Sequence, residues 1–189
     1  MKKLFAAVLL SAVCSALSAV SAAAASVPTG TGNFRVPNAG LSTNWVYESD
    51  WNRWQSVVND PGSSCLLRMP DCEPVILADH ENQDFARLFD VEEGDAAVMT
   101  YADGTSDVFV CSEVLEGFNA EDFLATLDGI PVQSILPSDL IAYTCMRSPR
   151  NPNGVLITLW SRSDGGIVVE DGGFSDGVVI EDDGIVIYD

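Results

Sequence analysis

Lysine is nearly missing from this chain, occurring only as Lys2 and Lys3, and histidine occurs once, as His80. Basic charge is scarce throughout, with nine lysines and arginines against 28 acids in 189 residues. Each shortage excludes something. A chain this acidic repels phosphate backbones, so nucleic acid is excluded as a partner, and attraction to anionic headgroups is not expected. Any proton transfer assigned to an imidazole falls to His80. Beyond Lys3 there is no side-chain amine through which the chain can be joined to itself.

The first residues carry a targeting pattern. Met1-Lys2-Lys3 is basic, Leu4 to Leu17 is apolar, and Ser18 to Ala25 is small-residue sequence suited to signal peptidase. Residues 1–25 therefore read as a signal peptide. The uncharged stretch from Leu4 to Ala25 is also long enough to cross a bilayer as a helix, which leaves an uncleaved anchor open. Export follows in both cases. Removing Lys2 and Lys3 from the nine bases leaves seven arginines against 28 acids, a net charge of −21. Residues 26–35 read as a linker of Gly, Thr, Pro and Asn, residues 36–162 as one folded domain, and residues 163–189 as an acidic tail. That tail repeats one unit, a Gly followed by three β-branched residues and acids, at Gly166, Gly177 and Gly184. Such units are too short and too charged to hold a core alone, so they are expected to be disordered or laid along a sheet edge.

The domain itself reads as mainly β. Trp51, Trp54, Val57 and Val58 are spaced as the apolar stripe of a short helix that serves the core. Asp60-Pro61-Gly62 makes a turn, and Pro74 to Ala78 a strand that delivers His80. A short helix is expected over Gln83 to Phe89, with Phe85, Leu88 and Phe89 inward. Asp103-Gly104 signals a hairpin joining Ala96–Tyr101 to Asp107–Val114. The connection from Glu116 to Ser138 is expected to carry a helix over Ala120 to Leu127, capped by Asn119, and to grip a ligand. Leu140–Thr144 and Val155–Trp160 read as buried strands separated by a loop from Met146 to Gly154.

Cysteine chemistry is the open question. Outside the leader stand Cys65, Cys72, Cys111 and Cys145. An even count in an exported protein points by default to disulfides, with Cys65–Cys72 the expected pair. Cys145 has two readings. It ends an apolar strand beside Arg147 and Arg150, cations that favour a thiolate, and His80 can supply the proton its leaving group needs. Alternatively, a Cys111–Cys145 disulfide makes the domain a non-catalytic secreted interaction module.

The order of these elements resembles the sortase family of cysteine transpeptidases from about Val36 to Trp160. In that family a histidine follows one barrel strand, the nucleophilic cysteine closes a strand with the pattern TLxTC, and an arginine stands near the next strand. Tyr143-Thr144-Cys145 fits the pattern's end. Ile141 and Ala142 stand in place of its Thr and Leu, and Asp79 stands where the family has Gly before the histidine. The resemblance implies a closed barrel of about eight strands with short helices, working without cofactor or metal as a monomer on peptide or protein substrates of the cell envelope. It implies that Cys145 attacks a sorting-signal carbonyl to form a thioester, that His80 protonates the leaving amine, and that Arg150, or Arg147, holds the oxyanion. Tyr143 and Thr144 are then expected at the substrate, and an amine or water resolves the thioester.

Overall fold

The computed structural model describes residues 29–68, 74–119, 124–134, 138–148, 151–163, 167–170, 177–181 and 184–188. The leader lies outside these residues. No helix among them is long and apolar enough to cross a membrane.

In chain order the strands are β1 (Thr31–Val36), β2 (Leu41–Glu48), β3 (Ser64–Arg68), β4 (Val75–Asp79), β5 (Ala96–Tyr101), β6 (Ser106–Asn119), β7 (Leu124–Thr126), β8 (Leu140–Ser148) and β9 (Asn151–Arg162). A 3-10 turn at Trp51–Arg53 leads into the short helix α1 (Trp54–Val58), and further 3-10 turns occupy Asp84–Asp90 and Val132–Ser134. The strands lie in the order β5-β1-β2-β3-β4-β8-β9-β6, and β6 pairs back to β5. The sheet is therefore a closed eight-stranded barrel. Closure removes the exposed edges that an open sheet would leave. β7 is an appendage on the far end of β6, where Gly117–Asn119 pair with Leu124–Thr126.

The barrel has two apolar layers, which explains why β8 reads as an unbroken apolar run instead of an alternating one. Leu140 and Ala142 point into the barrel with Phe34, Leu41, Trp45, Leu77 and Trp160. Ile141 and Tyr143 point outward into a second layer with Cys65, Ile76, Ala78, Val155 and Ile157. On this outer face sit Val58, Trp54 and Val57 of α1, and Leu124 and Val132 of the β7 region. Inside, Phe34 meets Trp160 edge to face at 5.6 Å between centroids. A geometry of this kind adds about 1 kcal/mol to the area each ring buries.

Several expectations are corrected here. The sheet starts at Thr31, inside the expected linker. Gly32 is there because a Cβ would run into the Trp45 ring and the Thr100 carbonyl, so the residue that reads as linker is a close-approach position of the barrel. The helix expected over Ala120 to Leu127 is absent at Leu124–Thr126, which is strand β7; residues 120–123 lie outside the described set. Its backbone hydrogen bonds go to β6, and Gly117 lets the Ala125 carbonyl come close. The expected loop from Met146 to Gly154 is mostly hairpin, because β8 runs on to Ser148 and β9 begins at Asn151. Phe89, expected inward, is 48% exposed, while Phe85 and Leu88 are buried.

After β9 come β10 (Ile167–Glu170), β11 (Gly177–Glu181) and β12 (Gly184–Tyr188), which form a separate three-stranded sheet in the order β10-β12-β11. The repeated units of the tail thus pair with one another.

Candidate active site

β4 and β8 are parallel neighbours, in register from Val75↔Leu140 to Asp79↔Thr144. His80 follows Asp79 and Cys145 follows Thr144, so the histidine and the cysteine occupy corresponding places one step beyond the last pair. Strand spacing puts the backbones of that last pair, Asp79 and Thr144, about 5 Å apart. Alternation along each strand gives the His80 and Cys145 side chains the outer face: Ile76 and Ala78 precede His80 there, and Ile141 and Tyr143 precede Cys145. Both residues are half-buried. Strand pairing thus brings together Asp79 and Thr144, the residues that directly precede His80 and Cys145, across 65 positions of the chain.

His80 is held from outside. Its Nε2 lies 3.0 Å from Asn59 Oδ1, at the C-terminal end of α1. An amide oxygen only accepts, so this contact places a proton on Nε2. Asn59 is itself fixed by Gln55 Nε2, which donates to the same oxygen at 3.3 Å. Gln83 braces the same end of α1, donating to the Val58 carbonyl at 2.8 Å.

Beneath the pair, on the inner face, lies a polar network that the sequence reading did not foresee. The Thr144 hydroxyl donates to the Asp79 carbonyl at 3.0 Å. The Asp79 carboxylate accepts the His80 amide at 2.7 Å on Oδ1 and the Ser64 hydroxyl at 3.1 Å on Oδ2. Ser64 Oγ and Thr43 Oγ1 are 2.7 Å apart. Asp79, Ser64, Thr43 and Thr144 are all buried. Burial pushes the Asp79 carboxyl up to about 6; the two donated hydrogen bonds oppose that shift and the charge of Asp84 adds to it.

Tyr143 and Thr144, expected at the substrate, are both buried in this structure. Thr144 is fully buried with its hydroxyl engaged, and Tyr143 is buried under Trp54, whose ring centroid is 6.3 Å away. Both directly precede Cys145 on β8. Burial, with the neighbouring Cys145 and Cys65 sulfurs, keeps the Tyr143 phenol protonated well above its ordinary range.

The cysteine pairings are corrected as well. Cys65, Cys111 and Cys145 are thiols in the structure. Cys111 pairs with Trp160 and Cys145 with Val155, on opposite sides of β9 and five residues apart along it. At about 3.3 Å per residue and 4.8 Å per strand, the two are separated by nearly 20 Å, far beyond disulfide reach. Cys111 sits in the barrel interior, where burial raises its thiol to about 12. Cys65 is a buried thiol of the outer layer, raised to about 12 first by burial and then by the charge of Glu48. Cys65 is a free thiol in the structure, and its expected partner Cys72 lies outside the described residues.

Across β9 from Cys145 stands Val155, which is buried. Arg147 is on β8, and Arg150 lies outside the described residues. Among the remaining arginines, Arg162 is bound to Asp107 and stacks over Phe109. Among the described residues no cluster of His, Cys, Asp and Glu is arranged to hold a metal ion.

No family model matches the chain, and no curated protein matches it in sequence. Solved structures do. The chain is similar to sortase E1 from Streptomyces coelicolor, a structure with a tripeptide in the active site, at 18% identity and a TM-score of 0.53, over 72% of this chain and 89% of that one. It is also similar to a lid mutant of sortase A from Corynebacterium diphtheriae, at 16% identity and TM-score 0.49 over 72% and 71% of the two chains. A further match is sortase A from Listeria monocytogenes, at 14% identity and TM-score 0.47 over 70% and 86%. The chain has the sortase fold.

Proposed function

We propose that this protein is a divergent sortase-type cysteine transpeptidase, exported by residues 1–25 and acting on peptide or protein substrates at the cell envelope. The observation that supports the reading is the β4–β8 register, whose last pair, Asp79↔Thr144, directly precedes His80 and Cys145. The peptide substrate class is supported by the tripeptide in the active site of the Streptomyces coelicolor enzyme that shares the fold.

The steps follow from the residues. Cys145, as thiolate, attacks a backbone carbonyl carbon of the substrate, and charge collects on the carbonyl oxygen. Arg150 stabilises that oxyanion, with Arg147 the alternative donor. His80, kept protonated on Nε2 by Asn59, gives its Nδ1 proton to the departing amine as the C–N bond breaks. A thioester remains on Cys145. An incoming amine, or water, gives a proton to His80 and releases the acyl group. Beyond residue 3 the chain has no lysine, so an acceptor amine is the chain's own N-terminus or belongs to another molecule.

The test is chromatographic separation of products from sorting-signal peptides incubated with the purified protein, with and without an added oligoglycine. Cleavage that Cys145→Ala and His80→Ala both abolish supports the reading. Cleavage unaffected by Cys145→Ala removes it.

A further inference from the structure

We propose that Asp79 is a positioning residue for the His80–Cys145 pair: its side chain holds the His80 backbone, its carbonyl holds Thr144, and it thereby fixes the register in which the two reacting groups meet. This rests on the reading of His80 and Cys145 as the reacting pair. The geometry is specific. Each residue that contacts Asp79 belongs to a different barrel strand or to the site itself. Thr144 on β8 immediately precedes Cys145 and donates to the Asp79 carbonyl at 3.0 Å. The His80 amide donates to Oδ1 at 2.7 Å. Ser64 on β3 donates to Oδ2 at 3.1 Å, and Thr43 on β2 lies 2.7 Å from Ser64. One buried chain therefore runs across β8, β4, β3 and β2 directly under the pair.

A carboxylate is an expensive choice for a purely structural tie. It is 4% exposed, its two donors are neutral, and the nearby charge that acts on it, Asp84, is of the same sign. Burial of such a group costs stability unless something else requires it. Here it supplies acceptors to two donors that face it from different directions, which a glycine at this position cannot do.

The hydroxyl chain also explains which substitution preserves the function. With Asp79 as carboxylate, Ser64 donates to it and Thr43 is free to donate to Ser64. An asparagine keeps Oδ1 for the His80 amide and offers Nδ2–H to Ser64 Oγ. Ser64 then turns its own proton to Thr43, and Thr43 turns to the Asn44 carbonyl, 3.3 Å away. The chain reverses without a broken link.

The experiment is site-resolved alkylation of Cys145 by iodoacetamide near pH 7, read by peptide mapping in the full chain, with thermal melting to confirm that each variant is folded. Peptide mapping separates Cys145 from Cys72, while Cys65 and Cys111 are buried. His80→Ala is expected to slow Cys145 alkylation about tenfold, the effect of a one-unit rise in thiol pKa. Asp79→Ala is expected to slow it about as much, and Asp79→Asn to restore it to within about threefold of native; a small displacement of paired reacting groups produces effects of this size. Thr144→Val, which removes only the hydroxyl, serves as the second variant should Asp79→Ala not fold, and is expected to slow alkylation similarly. If His80→Ala leaves the rate unchanged, the reading of the pair fails. If His80→Ala slows it but folded Asp79→Ala and Thr144→Val match the native rate, the pair stands and the role of Asp79 is overturned.

Discussion

Asp79 also sets a stability that depends on pH in a stated direction. Its carboxyl moves from an ordinary 3.8 to about 6 in the fold, chiefly because burial penalises the charged form. A carboxyl raised in this way is more protonated in the folded than in the unfolded chain between those two values. Linkage then requires stability to fall as pH rises from about 4 to about 6 and to stay lowered above that. A shift of about two units at about 1.4 kcal/mol per unit bounds the loss at roughly 3 kcal/mol. Solvent reaching the site end of the barrel reduces this, and we expect about 2 kcal/mol. Asp79→Asn has no charge to penalise and keeps both hydrogen bonds. It should therefore be more stable than the native chain by about 2 kcal/mol at pH 7.5, a rise in melting temperature of about 4–8 °C, and equal to it near pH 4. Urea unfolding at a series of pH values measures the difference directly. A variant that is no more stable at pH 7.5, or whose advantage persists unchanged at pH 4, refutes the assignment of the penalty to a buried, ionised Asp79.

Other expectations follow from single contacts. Gly117→Ala places a Cβ against the Ala125 carbonyl and should cost about 1–3 kcal/mol by displacing β7, visible as faster amide exchange in Leu124–Thr126; unchanged exchange contradicts the close approach. Asn59→Ala removes the partner of His80 Nε2 and should lower peptide turnover about tenfold with little change in melting temperature, since Asn59 is exposed. Equal turnover would show that the imidazole is oriented by something else. Cys111→Ala should leave Cys145 alkylation unchanged and cost about 1 kcal/mol of stability, because Cys111 fills the barrel interior and is nowhere near Cys145. A gain in Cys145 labelling would instead revive the disulfide.

Much of the fold is legible because its signals are local. The run from Leu140 to Cys145 reads as a strand because β8 is buried on both faces, and Asp103-Gly104 marks its hairpin because Gly104 needs a positive φ of 83°. The order of His80 and Cys145 along the chain was also visible. Their placement depends on β4 and β8 being parallel neighbours, which neither segment shows alone. What was missed is non-local. Leu124–Thr126 prefers helix in isolation and becomes strand because β6 offers a ladder. Gly32 reads as linker until Trp45 and Thr100 close in on it. Asn59 belongs to the site through α1, 21 residues before His80, and no spacing rule connects them. Asp79 was visible only as a departure from glycine; Ser64 and Thr43 turn that departure into a network.

The central claim is that Cys145 forms a thioester with a peptide acyl group. It is tested most directly by intact-mass and peptide-mapping measurement of the protein quenched in acid during incubation with sorting-signal peptides. The expected result is a mass gain equal to the N-terminal part of the cleaved peptide, carried by Cys145, lost on treatment with hydroxylamine, and absent from Cys145→Ala. Peptide cleavage with the acyl group on another residue, or cleavage by Cys145→Ala at the native rate, contradicts it.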